Sequence, residues 1–338
     1  MRILVTGGCG FIGSNFIHYL LKKYRSDRII NLDILTYAGN PANLISIAKD
    51  KRYKFIRGDI RDGKLVDQLI SKEMPDAVIN FAAESHVDRS LYNPMDFLTT
   101  NILGAQIMIE SARKHNIKRY VQISTDEVYG SLELKDPAFK ETTPLDPSSP
   151  YSASKTAADL LVKSYAKTFG YKAIITRSSN NYGPYQFPEK LIPLFITNAL
   201  TDKPLPLYGD GLNVRDWLYV EDNCCAIDAV MRRGAPGEVY NIGGNSEKTN
   251  AFITKTILKL VNKPKSLITY VKDRPGHDRR YALDISKIKK ELGWKPKYIF
   301  DQGIKKTIDW YSTNQKWWQQ IKTGQYLKFY RKHYQNRR

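Results

Sequence analysis

The residues of this chain that are best suited to proton transfer lie in two short segments. In the sequence STDEVYG, the hydroxyl of Thr125 and the adjacent carboxylates of Asp126 and Glu127 follow directly after an apolar run. In the sequence YSASK, Tyr151 and Lys155 stand four positions apart, which is about one turn of a helix. Each segment alone is also typical of a polar turn or an ordinary helical pair. Together they indicate a site equipped for several proton transfers.

The two adjacent carboxylates can act as different catalysts. Neighbouring carboxylates resist double ionisation, so one can stay protonated near neutral pH while the other is a base. Asp126 and Glu127 can therefore serve as an acid and a base in the same reaction.

A glycine-rich turn lies near the start of the chain, where GGCGFIG at residues 7–13 separates an apolar run from a helical pattern beginning near Phe11. Glycines at this spacing permit a tight turn, let the backbone approach a pyrophosphate and direct a helix N-terminus at its negative charge. Asp33 ends the next apolar run, 20 residues after Gly13. The combination predicts a dinucleotide site rather than an ordinary turn.

The carboxylate at the end of the second strand predicts which dinucleotide binds. A carboxylate there accepts hydrogen bonds from a ribose 2′-hydroxyl and repels a 2′-phosphate, so Asp33 favours NAD over NADP unless it only caps the strand. Asp59 and Ile60 follow the third strand and could reach the adenine edge, although Asp59 could equally cap the next helix. The residues expected at the cofactor are Gly7, Gly10, Phe11, Ile12, Gly13, Asp33, Asp59, Ile60, Tyr151 and Lys155.

Short β-rich runs alternate with helical patterns through the first half of the chain. Such alternation predicts parallel strands joined by helical crossovers, which is an α/β fold with a Rossmann-type doubly wound sheet. The predicted strands are residues 3–6, 29–33, 53–57, 77–81, 120–125 and 173–177.

The pattern changes beyond residue 178. Prolines punctuate short segments, and recognisable elements return near residues 222–233, 239–242 and 301–320. We therefore expect an NAD-binding Rossmann domain at 1–178 and a smaller C-terminal α/β substrate domain mainly at 179–338, with later segments crossing back to the sheet.

Composition narrows the class of protein. Three cysteines and five histidines in 338 residues form no disulfide framework or zinc pattern, so we expect a reducing compartment and no metal. No signal peptide and no apolar window of about 18 residues is present, which favours a cytoplasmic protein without membrane contact. The net charge of +19 suits an anionic partner, either nucleic acid or a phosphorylated small molecule. The basic, aromatic residues 326–334 favour a docked amphipathic helix over a nucleic-acid surface.

The glycine spacing together with Tyr151 and Lys155 resembles the extended short-chain dehydrogenase/reductases. Further segments narrow the resemblance to the nucleotide-sugar 4,6-dehydratases, nearest to those that act on dTDP-glucose, and it extends to about Trp310. These segments are AESHVDRS at 83–90, STDEVYG, SNNYGPYQFPEK at 179–190, NVRDW at 213–217 and RPGHDRRY at 274–281.

The resemblance implies a three-stage reaction with NAD. Lys155 would hold the nicotinamide ribose and lower the pKa of Tyr151, which removes the C4 hydroxyl proton while Thr125 contacts the same oxygen. Glu127 would then take the C5 proton while Asp126 protonates the departing C6 hydroxyl. Return of hydride to C6 and of a proton to C5 gives a 4-keto-6-deoxy sugar nucleotide and leaves the cofactor unchanged.

The resemblance also implies the substrate contacts and the assembly. Arg215, Lys190, Arg274 and His277 would be the cations for the diphosphate, and Tyr208 would stack on the base. A homodimer would form through helices near 94–115 and 151–169, and no nucleic acid is expected as a partner. The complete set of expected substrate residues is Ser85, His86, Asn180, Glu189, Lys190, Tyr208, Arg215, Asn250, Arg274 and His277.

Three alternatives stay open at this stage. Asn245 and the run at 223–225 depart from the commoner pattern, and one methyl group separates thymine from uracil, so either dTDP-glucose or UDP-glucose fits. A sugar-nucleotide 4-epimerase is the second alternative, although it would need neither Asp126 nor Glu127. A non-catalytic Rossmann protein with a basic surface is the third.

Overall fold

The computed structural model describes residues 1–335, which form three sheets and their surrounding helices. The strands are β1 (Arg2–Thr6), β2 (Arg28–Asp33), β3 (Tyr53–Arg57), β4 (Ala77–Asn80), β5 (Arg119–Thr125), β6 (Ala173–Ser178), β7 (Asn180–Tyr182), β8 (Leu205–Tyr208), β9 (Val214–Tyr219), β10 (Val239–Ile242), β11 (Glu247–Thr249) and β12 (Ile268–Val271). The α-helices are α1 (Phe11–Lys23), α2 (Gly63–Glu73), α3 (Val87–Tyr92), α4 (Pro94–Phe97), α5 (Ala105–Lys114), α6 (Pro150–Phe169), α7 (Leu191–Ala199), α8 (Val220–Arg233), α9 (Asn250–Leu260), α10 (Ser286–Leu292), α11 (Phe300–Thr313), α12 (Gln315–Ile321) and α13 (Gly324–Gln335).

The central sheet has seven parallel strands in the order β3-β2-β1-β4-β5-β6-β10. Apolar side chains of α1 and α8 pack on one face of this sheet, and those of α2, α5 and α6 pack on the other. The predicted Rossmann-type doubly wound fold is therefore confirmed. Because the strand order reverses between β1 and β4, a crevice opens there at the carboxyl ends of the strands.

The second half of the chain builds a separate core and also rejoins the main sheet. Strands β7, β9 and β11 form one small sheet, and β8 with β12 forms another. Apolar side chains of α7, α9 and α11 pack together around these strands. Strand β10 returns to pair with β6. The division of the chain at residue 178 stays a prediction.

The basic, aromatic C-terminal segment forms helix α13, which packs against the rest of the molecule. Tyr326 and His333 are buried on its inner side, whereas Lys328 is exposed. The interpretation as a docked amphipathic helix is therefore confirmed for the described part of this segment. No described helix is long and apolar enough to cross a bilayer. Residues 1–335 likewise contain no cluster of three or more side chains suited to a metal ion.

Candidate active site

The glycine turn after β1 forms one wall of a cavity of about 370 Å³. Gly7 has a positive φ of 65°, and a Cβ there would lie 2.7 Å from the backbone nitrogen of Ala82. A Cβ on Gly13 would lie 2.4 Å from the carbonyl oxygen of Gly7. Both positions therefore need glycine, and α1 begins at the cavity with no acidic side chain in its first turn. All ten residues expected at the cofactor line this cavity.

Asp33 binds the backbone at the end of β2 and also lines the cavity. Its Oδ2 accepts a hydrogen bond from the Cys9 amide at 2.9 Å, and its Oδ1 accepts one from the Leu35 amide at 2.8 Å. Burial raises the pKa of Asp33, and the two amides oppose that shift. The carboxylate thus ties the glycine turn to the end of β2 while it lines the cavity.

Asp59 also lines the cavity, but it does not cap the helix that follows. Its carboxylate accepts hydrogen bonds from the backbone amide and Nε of Arg61, at 2.9 and 2.8 Å. The cap of α2 is Asp62, whose Oδ1 accepts from the amide of Leu65 at 3.0 Å. The capping alternative for Asp59 is therefore wrong, because the N-cap of the helix lies three residues later.

A second cavity, of about 170 Å³, adjoins the first. Gln186, Glu189 and Lys190 line both cavities, and the Nζ of Lys190 donates a hydrogen bond to the carbonyl of Ser85 at 2.7 Å. Ser85 itself lines the first cavity. The other nine expected substrate residues, which line the second cavity, are His86, Asn180, Glu189, Lys190, Tyr208, Arg215, Asn250, Arg274 and His277.

The four basic side chains expected at the diphosphate, Lys190, Arg215, Arg274 and His277, all line the second cavity. Arg215 donates hydrogen bonds to the carbonyls of Val214 and Asp278, which hold its guanidinium in place. Burial, followed by the charges of Arg274 and Arg215, lowers the pKa of His277 to about 4. The role of His277 as a cation for the diphosphate stays a prediction.

Several buried polar atoms at the second cavity have no hydrogen-bond partner among the described residues. They include Oδ1 of Asn180, Oδ1 of Asn250 and Nε of Arg274. Buried polar groups are normally paired, so unpaired acceptors and donors at a cavity wall are suited to a polar ligand. Their presence supports the expected contacts of Asn180, Asn250 and Arg274 with a sugar phosphate.

The end of β5 and the turn after it hold the expected acid and base. Thr125 is the N-cap of a 3₁₀ turn at Asp126–Tyr129, and its Oγ1 accepts a hydrogen bond from the Glu127 amide at 3.3 Å. The same hydroxyl lies 3.2 Å from Oδ1 of Asp126, to which it donates. Glu127 lines the second cavity, whereas Asp126 is only 1% exposed. The turn thus gives two adjacent carboxylates different surroundings.

The pKa values of the two carboxylates differ for identifiable reasons. Burial, then the charges of Glu127 and Asp216, hold the pKa of Asp126 well above its usual range. Burial also raises the pKa of Glu127, but the cations around it, led by Arg274, oppose that rise. Both carboxyl pKa values are therefore raised by burial, but the main further influence comes from cations for Glu127 and from carboxylates for Asp126. This difference matches an acid at Asp126 and a base at Glu127.

Tyr151 and Lys155 both line the first cavity, and burial is the main cause of the pKa shift of each. Lys155 Nζ donates a hydrogen bond to the carbonyl of Ile123 at 2.6 Å, and burial lowers its pKa to about 8. Burial and the charge of Glu127 raise the pKa of Tyr151, with a hydrogen bond to Thr125 opposing the rise. The lowering of the phenol pKa by Lys155, which the resemblance implies, stays a prediction.

Two residues of the site escaped the sequence-based search. Asp216 accepts hydrogen bonds from the amides of Gly244 and Ser246 at 2.8 and 2.7 Å, which fixes its charge close to Asp126. Asp88 lines the second cavity. Asp216 belongs to the motif NVRDW and Asp88 to the motif AESHVDRS, so the sequence placed both residues near the site without giving them a role.

The parallel sheet, the glycine turn and the Tyr151 and Lys155 pair define an extended short-chain dehydrogenase/reductase with a neighbouring substrate cavity. A family model for GDP-mannose 4,6 dehydratase matches residues 4–307. The dTDP-glucose 4,6-dehydratase of Xanthomonas campestris pv. campestris is 51% identical over 341 residues, with 96% of each chain covered. The chain belongs to the nucleotide-sugar 4,6-dehydratase family.

Two solved structures extend the similarity to three dimensions. The dTDP-glucose 4,6-dehydratase from Bacillus anthracis, in complex with NAD, is 51% identical with a TM-score of 0.89, over 95% of this chain and 99% of that one. The enzyme from Streptomyces venezuelae, with NAD and TYD bound, is 47% identical with a TM-score of 0.92, over 95% of this chain and 100% of that one.

Proposed function

We propose that this chain uses NAD to convert dTDP-glucose into the 4-keto-6-deoxy sugar nucleotide, as a hydro-lyase. The observation that carries the proposal is the arrangement of three side chains across two joined cavities. Tyr151 and Lys155 line the cavity that the glycine turn forms, while Glu127 lines the adjoining one. A sugar bound across the junction would therefore meet both the redox and the elimination groups.

The first cavity fits a dinucleotide. Gly7 and Gly13 leave space that a Cβ would fill, and the start of α1 offers backbone N–H groups to a pyrophosphate. Asp33 supports the choice of NAD, and Lys155 is suited to hold the nicotinamide ribose. When NAD is bound, it supplies a hydride acceptor and donor that is unchanged over the cycle.

The chain's own residues would move the protons. Tyr151 would take the C4 hydroxyl proton, with Thr125 at the same oxygen, and the resulting C4 ketone makes the C5 proton acidic. Glu127 would remove that C5 proton while Asp126 gives a proton to the leaving C6 oxygen. The raised pKa of Asp126 supports its role as the acid.

The second cavity would bind the rest of the substrate. Arg215 and Arg274 would hold the diphosphate with Lys190, since guanidinium groups match phosphate oxygens. Asn180 would contact the sugar phosphate together with Asn250, and Tyr208 would lie against the base. Glu189 and His86 complete this wall.

A homodimer is part of the proposal. The helical surface of α4, the π-helical segment Leu98–Gly104 and α6 exposes five large apolar side chains to solvent. Exposed apolar groups of this density favour an interface between protein chains. The exposed side chains are Met95, Leu98, Leu103, Leu160 and Phe169.

The test is to supply dTDP-glucose and UDP-glucose side by side and to measure the 4-keto product. We expect turnover of dTDP-glucose, with UDP-glucose disfavoured by about 10-fold or more, since one methyl contact contributes roughly 1–3 kcal/mol. A product that is only the C4 epimer would refute the dehydratase assignment. Equal turnover of both substrates would refute the choice of nucleotide alone.

A further inference from the structure

Helix α13 packs against residues that line the substrate cavity. The hydroxyl of Tyr326 donates a hydrogen bond to the carbonyl of Pro188 at 2.8 Å, within the segment that lines both cavities. One turn later, the guanidinium carbon of Arg89 lies 4.0 Å from the ring centre of Phe329. Arg89 also pairs with Glu189, with 3.0 Å between Nη2 and Oε2. Helix α13 thus contacts the segment around Pro188 and Glu189, which lies between the two cavities.

A further turn along α13, His333 reaches the cavity residues themselves. Its side chain is only 1% exposed, and its Nε2 lies 2.5 Å from the Tyr208 hydroxyl and 3.3 Å from Oδ2 of Asp88. The Tyr208 hydroxyl also donates to the same oxygen of Asp88, at 3.3 Å. His333, Tyr208 and Asp88 therefore form one buried polar cluster.

This polar cluster connects two groups that the substrate would touch. Tyr208 and Asp88 both line the substrate cavity, and Oδ1 of Asp88 lies 3.8 Å from Nη1 of Arg274. We propose that His333 is a positioning residue for the nucleotide, holding Tyr208 against the base and Asp88 beside Arg274. This inference rests on the proposed function, because it takes the nucleotide to occupy this end of the cavity.

The position of the polar cluster predicts which kinetic constant depends on His333. A contact at the nucleotide stabilises the bound substrate and the transition state alike, so its loss raises KM and leaves kcat unchanged. The reacting sugar carbons lie instead near Tyr151 and Glu127 in the proposed function. A residue that only supported the fold would not separate KM from kcat in this way.

The experiment compares His333→Ala, His333→Gln and the exposed control Lys328→Ala on the same helix. For His333→Ala we expect KM for dTDP-glucose to rise 10- to 100-fold with kcat within about 3-fold, the effect of losing a buried hydrogen bond to a charged group. Calorimetric binding of dTDP alone should weaken by the same factor. His333→Gln should recover part of the loss, because its amide can bond both Tyr208 and Asp88, and Lys328→Ala should match the parent.

A double-mutant cycle with Tyr208→Phe makes the test independent of overall stability. Because His333 acts partly through the Tyr208 hydroxyl, the two losses of dTDP affinity should be less than additive. The inference is overturned if His333→Ala binds dTDP like the parent, if kcat falls while KM holds, or if the two losses add fully. Failure of the parent enzyme to turn over dTDP-glucose would instead overturn the proposed function.

Discussion

At the scale of single residues, the two adjacent carboxylates differ because they face different neighbours. Asp126 is buried with the charge of Asp216 nearby, and Glu127 lies towards the cations of the substrate cavity. Two residues that are adjacent in the sequence therefore have different electrostatic surroundings, as the proposed acid and base require. The expected chemistry depends on this asymmetry more than on either residue type.

Substitution of each carboxylate should stall the reaction at a different step. Glu127→Gln leaves C4 oxidation possible but removes the base for the C5 proton, so reduced nicotinamide should accumulate on the enzyme. Asp126→Asn should also block the loss of water, yet exchange of the C5 proton with deuterated solvent should persist. Each variant should lose about 10²–10⁴-fold in product formation. Near-UV absorbance and mass spectrometry distinguish the two outcomes.

Tyr151→Phe is the matched comparison, since it should form neither reduced nicotinamide nor exchanged substrate. If Glu127→Gln retained full product formation, Glu127 would not be the base. If Asp126→Asn lost C5 exchange as completely as Glu127→Gln does, the division of roles would fail.

The buried histidines should make stability depend on pH. Burial lowers the pKa of His86 to about 4 from about 6.5, so between these values the unfolded chain binds a proton that the folded chain does not. The free energy of unfolding should therefore fall as pH decreases from 6.5 to 4, by up to about 3 kcal/mol for this group. His277, whose pKa is also lowered to about 4, acts in the same direction.

Urea unfolding across this pH interval provides the measurement. His86→Gln removes the titrating group and should flatten the dependence by about the stated amount. A variant whose unfolding free energy follows the parental slope would show that His86 does not titrate in this way.

At the scale of elements, the turn between β1 and α1 depends on close backbone packing. Gly13→Ala would bring a methyl group to 2.4 Å from the Gly7 carbonyl, so the turn must shift. We expect weaker NAD binding, by about 10-fold or more, together with a lower melting temperature. Gly63→Ala in α2 is the control, because its Cβ would meet nothing closer than 3.8 Å and alanine favours helix.

Calorimetric titration of the cofactor-free protein with NAD measures the first effect, and thermal unfolding measures the second. Parental NAD affinity in Gly13→Ala would contradict the role assigned to this turn. A similar loss in Gly63→Ala would indicate a general loss of helix packing.

At the scale of the whole molecule, the apolar helical surface should hold two chains together. Leu160 is 53% exposed on α6, and a carboxylate there would be buried without a partner in a dimer. Leu160→Glu should therefore sediment as a monomer at micromolar concentration, while the parent sediments as a dimer. Ile45→Glu, at a position 76% exposed outside this surface, should remain dimeric. A monomeric parent would refute the homodimer.

Local pattern was enough to predict six strands of the main sheet and the glycine turn, and the family resemblance supplied ten substrate residues, all of which line the two cavities. The alternation of strands and helices and the glycine turn depend on residues that are close together in the sequence. For this reason β1, α1 and the position of Asp33 could be predicted. The pairing of Asp88 with His333 was not, since it joins residues 245 positions apart through the fold. The raised pKa of Tyr151 also lay beyond the sequence, because it depends on burial, which no motif specifies.

Because Gln186, Glu189 and Lys190 line both cavities, we expect the binding of one ligand to change the affinity for the other. When the first ligand orders these side chains, the second ligand binds with a smaller loss of conformational entropy. Thermodynamic reciprocity then requires that the sugar nucleotide raises the affinity for NAD by the same factor as NAD raises the affinity for the sugar nucleotide. The affinity for the dinucleotide is consequently highest while the sugar nucleotide is bound. Dissociation of the reduced cofactor at that point would leave the oxidised sugar without its hydride donor and stop the cycle.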